Sequence, residues 1–482
     1  MRCTKRYRHT PIPIRLKWKY QSVSAISIVP LTIALAISLL ALWGGNAHAM
    51  LLSFVAYFPV CMAYHWMVGA VYYYFNWERN KGSPDQPPTH PQPAPIVSIL
   101  VPCFNEADNL RETIGALVVQ NYPNFEIVAI NDGSKDATGE ILDQLLDEIP
   151  NLRVVQFAKN QGKAMGLRMG ALAARGEYLV CIDGDALLHP NAVAHLVRHF
   201  IEYPRVGAVT GNPRIRTRST LLGKIQVGEF SSIVGLIKRT QRVCGNLFTV
   251  SGVVCAYRRS ALHHCDYWGL DMLTEDIDAT WRLQLQHWTI HYEPNAICWM
   301  LMPETLRGLW RQRLRWAQGG AEVFLCHGVR ALRWEHRRLW TLLAEYISSI
   351  LWSLSLAALG GVWILQQLFP SLAPASQITG WPGSYWHVAY VATYLLQGLT
   401  AAAIEHRYDH RISRVLFWVV WYPAILWLIT FATSLGGLLL AIRKKRNTRA
   451  RWVSPDRGFR SLRAGANLSQ ISTVPLDEQN NE

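Results

Sequence analysis

Apolar and polar positions divide this chain into three textures. The first is a set of long uncharged runs. Val23 to Trp43 carries no charge over about 21 residues, enough at 1.5 Å per residue to cross a hydrocarbon core of roughly 30 Å. Ala49 to Phe75 is a second such run, and Tyr346–Phe369, Ser384–Ile404 and Val415–Ile442 repeat the pattern downstream. Two membrane spans before the central region and about three hydrophobic segments after it are therefore predicted. A cleaved leader competes for the first run, because Ala47-His48-Ala49 imitates a cleavage site. The run is longer than the ~7–15 apolar residues of such a leader.

The second texture begins at Ile96, where short apolar runs alternate with helical ones. The order is IVSILVP, a helix near Ala107–Gln120, FEIVAIND, a helix near Asp136–Glu148, LRVVQF, a helix near Lys163–Arg175, and YLVCIDGD. Alternation of this kind builds a Rossmann-like α/β domain around a mostly parallel sheet. The third texture, residues 306–340, interleaves Leu, Trp and Arg as basic amphipathic helices do at a membrane surface. The resulting division is a basic N-terminus with two spans (1–81), a Pro-rich linker read as stiff and solvated (82–95), an α/β domain (96–305), interfacial helices (306–340), a C-terminal membrane region (341–442) and a basic tail (443–482).

Charge sharpens this picture. The net charge is +15 over 482 residues, yet residues 1–20 hold seven Lys/Arg and no acid, and residues 443–451 hold six and no acid. Most of the excess therefore flanks apolar segments and reads as membrane orientation and anionic-lipid contact, not as a nucleic-acid groove. Nine cysteines without Cys-x-x-Cys spacing read as reduced thiols facing a cytoplasm. Arg214, Arg216 and Arg218 read as a solvated basic loop in preference to an anionic-effector site. One conflict remains. Five spans starting inside would end outside, but the tail opens Arg443-Lys444-Lys445-Arg446. Either the last segment, interrupted by Pro423 and Gly436-Gly437, fails to cross, or the charge bias is overridden.

The candidate chemistry lies at strand ends. YLVCI runs into Asp183-Gly184-Asp185, two carboxylates at the edge where open α/β sheets bind ligands. Such a pair suits a hard divalent cation carrying a diphosphate, although Asp-Gly is also a common turn. Asp132, after the second strand, would stand at the same edge. Its carboxylate can accept from a uracil imide or ribose hydroxyls, or merely serve a turn. Asn105 and Glu106 close the first strand as ligand contacts or as helix caps. Lys163 is either a cation for a phosphate or an ordinary solvated lysine. Within Thr274-Glu275-Asp276, which precedes a helical pattern, Asp276 is the candidate general base for transfer to a hydroxyl. Gln312, Arg313, Arg315 and Trp316 either dress an interfacial helix or bind a departing diphosphate and a stacked sugar.

In this order, Asn131-Asp132-Gly133-Ser134, Asp183-Gly184-Asp185, Thr274-Glu275-Asp276 and Gln312-Arg313-Leu314-Arg315-Trp316 resemble the processive family-2 glycosyltransferases, which include cellulose, chitin and hyaluronan synthases. The runs 211–233, 302–324 and 449–458 are similar to the branch that makes bacterial β-1,6-linked poly-N-acetylglucosamine for biofilms. The resemblance implies a GT-A fold, a UDP-N-acetylglucosamine donor, a Mg²⁺ or Mn²⁺ cofactor, inversion at the anomeric carbon and export of the growing polysaccharide across the bacterial inner membrane. It implies a cytoplasmic catalytic domain, and a small membrane subunit with cyclic di-GMP regulation. On these positions Asp132 would contact uridine, Asp183 the nucleotide and metal, and Asp185 the metal. Asp276 would be the base, while Gln312, Arg313, Arg315 and Trp316 would hold diphosphate and acceptor. Many family members carry Asp where this chain has Asn131, a change an amide can accommodate. The alternative is transfer of a single sugar to a lipid carrier, for which an acceptor clamp at Gln312–Trp316 would be unnecessary.

Overall fold

The computed structural model describes residues 47–369, 384–415, 417 and 422–444. The first predicted span and most of both basic flanks lie outside these residues. Helix α1 (Ala47–Tyr73) continues through a π-helical turn into the linker. The α/β domain then runs β1 (Val97–Cys103), α2 (Leu110–Val118), β2 (Phe125–Asn131), α3 (Thr138–Glu148), β3 (Leu152–Gln156), α4 (Lys163–Ala173), β4 (Tyr178–Ile182), β5 (Leu187–Leu188), α5 (Ala192–Glu202) and β6 (Val206–Ile215). After it come α6 (Leu221–Glu229), α7 (Leu236–Val243), β7 (Val254–Arg258), α8 (Arg259–His264), α9 (Glu275–Leu285) and β8 (Thr289–Met300). The chain continues through α10 (Leu306–Ala331), α11 (Trp340–Leu368), α12 (Ser384–Glu405) and α13 (Tyr422–Arg443).

Among the described residues eight strands form one sheet in the order β3-β2-β1-β4-β7-β6-β8-β5. Four neighbouring pairs are parallel; β7 is antiparallel to β4 and to β6, and β5 to β8. Six strands therefore point the same way, as the alternation predicts, and two are reversed. All seven residues of β1 are buried, because helices cover both faces. One face packs side chains of α2, α3 and α5, and the other packs α4, α8 and α9. Continuous apolar strands are what a sheet covered on both sides requires.

Three helical stretches among the described residues are long and apolar enough to cross a membrane: Leu51–Glu78, Trp334–Leu368 and His387–Glu405. The apolar part of α13, Trp427–Arg443, is shorter. A buried ionic knot joins the apolar helices to the domain. Glu405, at the end of α12, pairs with Arg214 of β6 and Arg239 of α7, and Arg239 also holds Glu78 at 2.7 and 2.8 Å. These four side chains are at most 5% exposed. The expected solvated basic loop is corrected for two of its three arginines: Arg214 lies inside β6 and Arg218 pairs with the buried Asp409, whereas Arg216 is exposed and binds Glu112 at 2.6 Å. Each arginine meets an acid remote in sequence, which local charge counting does not reveal. The linker also departs from a solvated strap at its start. The Pro84 carbonyl accepts from Asn191 Nδ2 at 2.9 Å, and that of Gly82 from Asn295 Nδ2 at 3.1 Å.

Candidate active site

The site is built at the edge where β1, β2 and β4 end. β4 stops at Ile182, and Asp183 and Asp185 follow on either side of Gly184. Gly184 is required by space. A Cβ there would lie 3.0 Å from the Pro102 carbonyl and 3.2 Å from Glu106 Cγ, while Thr113 Oγ1 donates to its carbonyl at 3.0 Å. The acid pair is thereby pressed against the end of β1. Because β7 runs antiparallel to β4, its entrance reaches the same edge, and the Asp183 N–H donates to the Val253 carbonyl at 3.3 Å.

Lys163, the first residue of α4, is the hub. Its Nζ donates to Asp183 Oδ1 at 2.5 Å and to the Gly252 carbonyl at 3.1 Å, and lies 3.3 Å from Glu275 Oε1. Burial alone would lower the lysine's pKa, but Asp183 and Glu275 more than offset it and raise it. Asp276 shares this environment. Burial, and then the neighbouring Glu275, push its carboxyl up to about 6, against the pull of Lys163, the Ile277 N–H and Arg315. A carboxylate tuned toward neutrality is what a general base needs. The bare backbone of Gly252 makes room, since a Cβ there would sit 3.0 Å from Asp276 Oδ2.

Asp132 is 1% exposed, and both its oxygens are engaged: Gln161 N–H donates at 2.7 Å and Gly162 N–H at 2.8 Å. Burial raises its carboxyl pKa, partly countered by these two donors. The carboxylate thus holds the loop that presents Lys163, with second lone pairs left on each oxygen. Asn105, at φ 55°, accepts at Oδ1 from the Lys135 N–H at 2.8 Å and donates its own N–H to Ser134 Oγ at 3.0 Å. Glu106 is buried against Gly184, and its N–H donates to Thr138 Oγ1 at 2.9 Å. These two residues therefore tie the β1 loop to the β2 loop.

Helix α10 lies across the loop that carries Asp276. A Cβ on Gly319 would fall 2.3 Å from Thr274 Cγ2, so α10 contacts the residue that precedes Glu275-Asp276 directly. Arg315 is exposed and within electrostatic reach of Asp276. Arg313 faces elsewhere: it is buried, pairs with Glu229 at 2.6 Å, and stands 4.5 Å over the Trp316 ring. Trp316 is half-buried against Phe230, and Gln312 Nε2 contacts Met302 Sδ at 3.7 Å. The structure thus brings Asp183, Asp185, Lys163 and Asp276 to one edge with Arg315 beside them, and sets Arg313 against α6. Sequence reasoning missed Glu229, which lies 84 positions from its partner, and the spatial need for Gly252.

A divalent ion fits this edge in one particular way. Among the described residues no group of three or more His, Cys, Asp and Glu side chains could hold one. Asp183 and Asp185 do share a locus, since after burial both push the Cys298 thiol up. Two carboxylates suit an ion whose remaining ligands are substrate phosphates and water.

A family profile described as glycosyltransferase-like family 2 matches residues 93–319. A poly-β-1,6-N-acetyl-D-glucosamine synthase of Staphylococcus epidermidis is 36% identical over 414 residues, covering 84% of this chain and 98% of its own length. A synthase of the same name from Staphylococcus aureus is 37% identical over 407 residues, with the same coverage. A mannosyltransferase from Pyrobaculum calidifontis, solved with GDP-Man and Mn²⁺, superposes with a TM-score of 0.56 at 18% identity, over 88% of this chain and 100% of that one. This last likeness is one of fold.

Proposed function

The chain belongs to the family-2 glycosyltransferases, and on that premise we propose that it is a membrane-embedded, processive synthase. It would polymerise N-acetylglucosamine from UDP-N-acetylglucosamine into a β-1,6-linked polysaccharide and pass the product outward. The observation that carries the reading is Asp276, half-buried beside Lys163 and Glu275 at the sheet edge that holds Asp183 and Asp185. The names of the staphylococcal relatives supply the sugar and the linkage.

The donor lies along the edge, with its nucleoside near the β1 and β2 loops braced by Asn105, Glu106 and Asp132. Lys163 and Arg315 counter the charge of its diphosphate. Asp183 and Asp185 would hold Mg²⁺ or Mn²⁺, which when bound supplies Lewis-acid stabilisation of the departing diphosphate. Asp276 takes the proton of the 6-hydroxyl at the end of the growing chain. That oxygen bonds to the anomeric carbon from the face opposite UDP, the bond from that carbon to the diphosphate oxygen breaks, and configuration inverts to β. Trp316, braced by Arg313 and Gln312, offers a ring for the acceptor sugar to stack on.

Export is supported by aromatic side chains that meet between the apolar helices. Trp352 stacks on Phe58 with centroids 6.3 Å apart and meets Trp427 at 5.0 Å. A polar chain crossing a bilayer needs such a protein lining. The cytoplasmic side of a bacterial inner membrane is where the domain would stand. The exposed apolar faces of α11 and α12, including Trp363, Leu365, Val388 and Val391, offer contact to lipid or to a small membrane subunit. Since Arg214, Arg216 and Arg218 are ion-paired, a response to cyclic di-GMP would enter through that subunit.

The test is to incubate membranes containing the full chain with radiolabelled UDP-N-acetylglucosamine and Mg²⁺. Long products sensitive to a β-1,6-specific hydrolase are expected. A product of one sugar on a lipid, or no incorporation with this donor while another UDP-sugar is used, overturns the reading.

A further inference from the structure

The loop that delivers Asp276 is held by the far end of the chain. Glu322 of α10, only 5% exposed, accepts from the Leu273 N–H at 3.2 Å, from Lys444 Nζ at 2.7 Å and from Gln318 Nε2 at 2.9 Å. Lys444 also donates to the Asp271 carbonyl. Leu273 is followed by Thr274, the N-cap of α9, and Thr274 is wedged against Gly319. Residues 271–274 are thus gripped by α10 on one side and by the residue after α13 on the other.

The path of α13 explains how Lys444 arrives there. Ile429 packs against the cluster of Ile225 and Leu309, Gly436 faces Leu314, and a Cβ on Gly437 would lie 2.6 Å from Gln318 N. With Lys444 on Glu322, these contacts advance together along both helices, so α13 lies lengthwise and parallel on α10. At the other end of the segment, Asp409 pairs with Arg218 of the catalytic domain. The chain from 409 to 444 therefore starts and finishes on the same domain.

Trp427 and Phe431 near the start of α13 reach Trp352 between the apolar helices, and the rest lies along α10. We propose that α13 does not carry the chain to the far side of the membrane, and that its end is a clamp in which Lys444, through Glu322, fixes residues 271–274 and so positions Asp276. This rests on Asp276 being the base and on the helices being membrane-embedded. It resolves the conflict over the tail, because the basic run after α13 then stays on the side of the catalytic domain, as the positive-inside tendency favours. Lys444 and Glu322 are positioning residues; neither needs to touch substrate.

The test uses the full chain in native membranes. Glu322→Gln and Lys444→Met should each lower kcat about tenfold, the scale of a small misplacement of a catalytic group. KM and binding for UDP-N-acetylglucosamine should hold within about twofold of wild type, a split that general unfolding would not produce. Lys444→Arg, which keeps the charge and donors, should retain most of the activity. A C-terminal epitope tag on the otherwise unaltered chain should be reached by antibody in inverted vesicles and not in intact spheroplasts. Unchanged kcat in both disruptive variants overturns the clamp, and a tag exposed on spheroplasts overturns the path of α13. If Asp276→Asn still synthesises polymer, the reading of the base fails instead, and the tag result stands by itself.

Discussion

At the residue scale, one half-buried cation is shared among the acids of the site. Lys163 touches Asp183 and Glu275 and moderates Asp276. On the proposed role of Asp276 as base, its carboxyl, pushed up to about 6, should set the acid limb of the pH profile. The base works when deprotonated, so kcat should be flat above this value and fall about tenfold per pH unit below it. A limb centred near the ordinary carboxylate range, about 4, would contradict the shift. Glycines beside the acids matter as much. Gly252→Ala would press a methyl to within 3.0 Å of Asp276 Oδ2 and 3.6 Å of Lys163 Nζ. It should cut synthesis about a hundredfold by displacing the base, with donor binding largely kept; wild-type rates would show that the contact yields. Asp132 and Asp183 stood out in the sequence because each closes a short apolar run, and Asp276 because it opens a helical pattern. Arg313 shows the limit: its spacing from Arg315 suggested a shared ligand, yet the helix turns one toward Glu229 and leaves the other exposed.

At the element scale, the βαβ alternation foretold β1 to β4, their helices and the shared direction of the sheet. The reversed β7 was not legible, because strand direction depends on where the chain returns and leaves no mark in local periodicity. That reversal shapes the candidate site, since it brings Gly252 and Val253 to the end of β4. Likewise Gly436-Gly437 looked like an interruption in a span. In the structure it is a notch that admits the backbone of α10, the use small residues find at close helix contacts. Gly437→Leu should therefore separate the two helices, lowering Tm in detergent and abolishing synthesis. Unaltered stability and activity would mean the contact between α13 and α10 is dispensable.

At the scale of the whole molecule, the catalytic domain is fastened to the apolar helices by charge. Glu405 is fully buried between Arg214 and Arg239, and Glu78 completes the knot with Tyr408 Oη at 2.8 Å. Removing one partner from such a group leaves a buried unpaired charge, at about 3–5 kcal/mol. Glu405→Gln should accordingly lower Tm of the purified protein by several degrees, and Tm unchanged would show that the knot is solvated in the membrane. Joined this way, the sheet edge is fastened to the apolar helices, and Thr274, two residues before Asp276, lies against α10. The central claim is that Asp276 is the base of this polymerase. The measurement that tests it most directly pairs polymer synthesis with UDP binding in Asp276→Asn. Synthesis should fall by at least about a hundredfold, the contribution of a general base, while UDP affinity stays within about threefold of wild type. Synthesis that survives the substitution would contradict it.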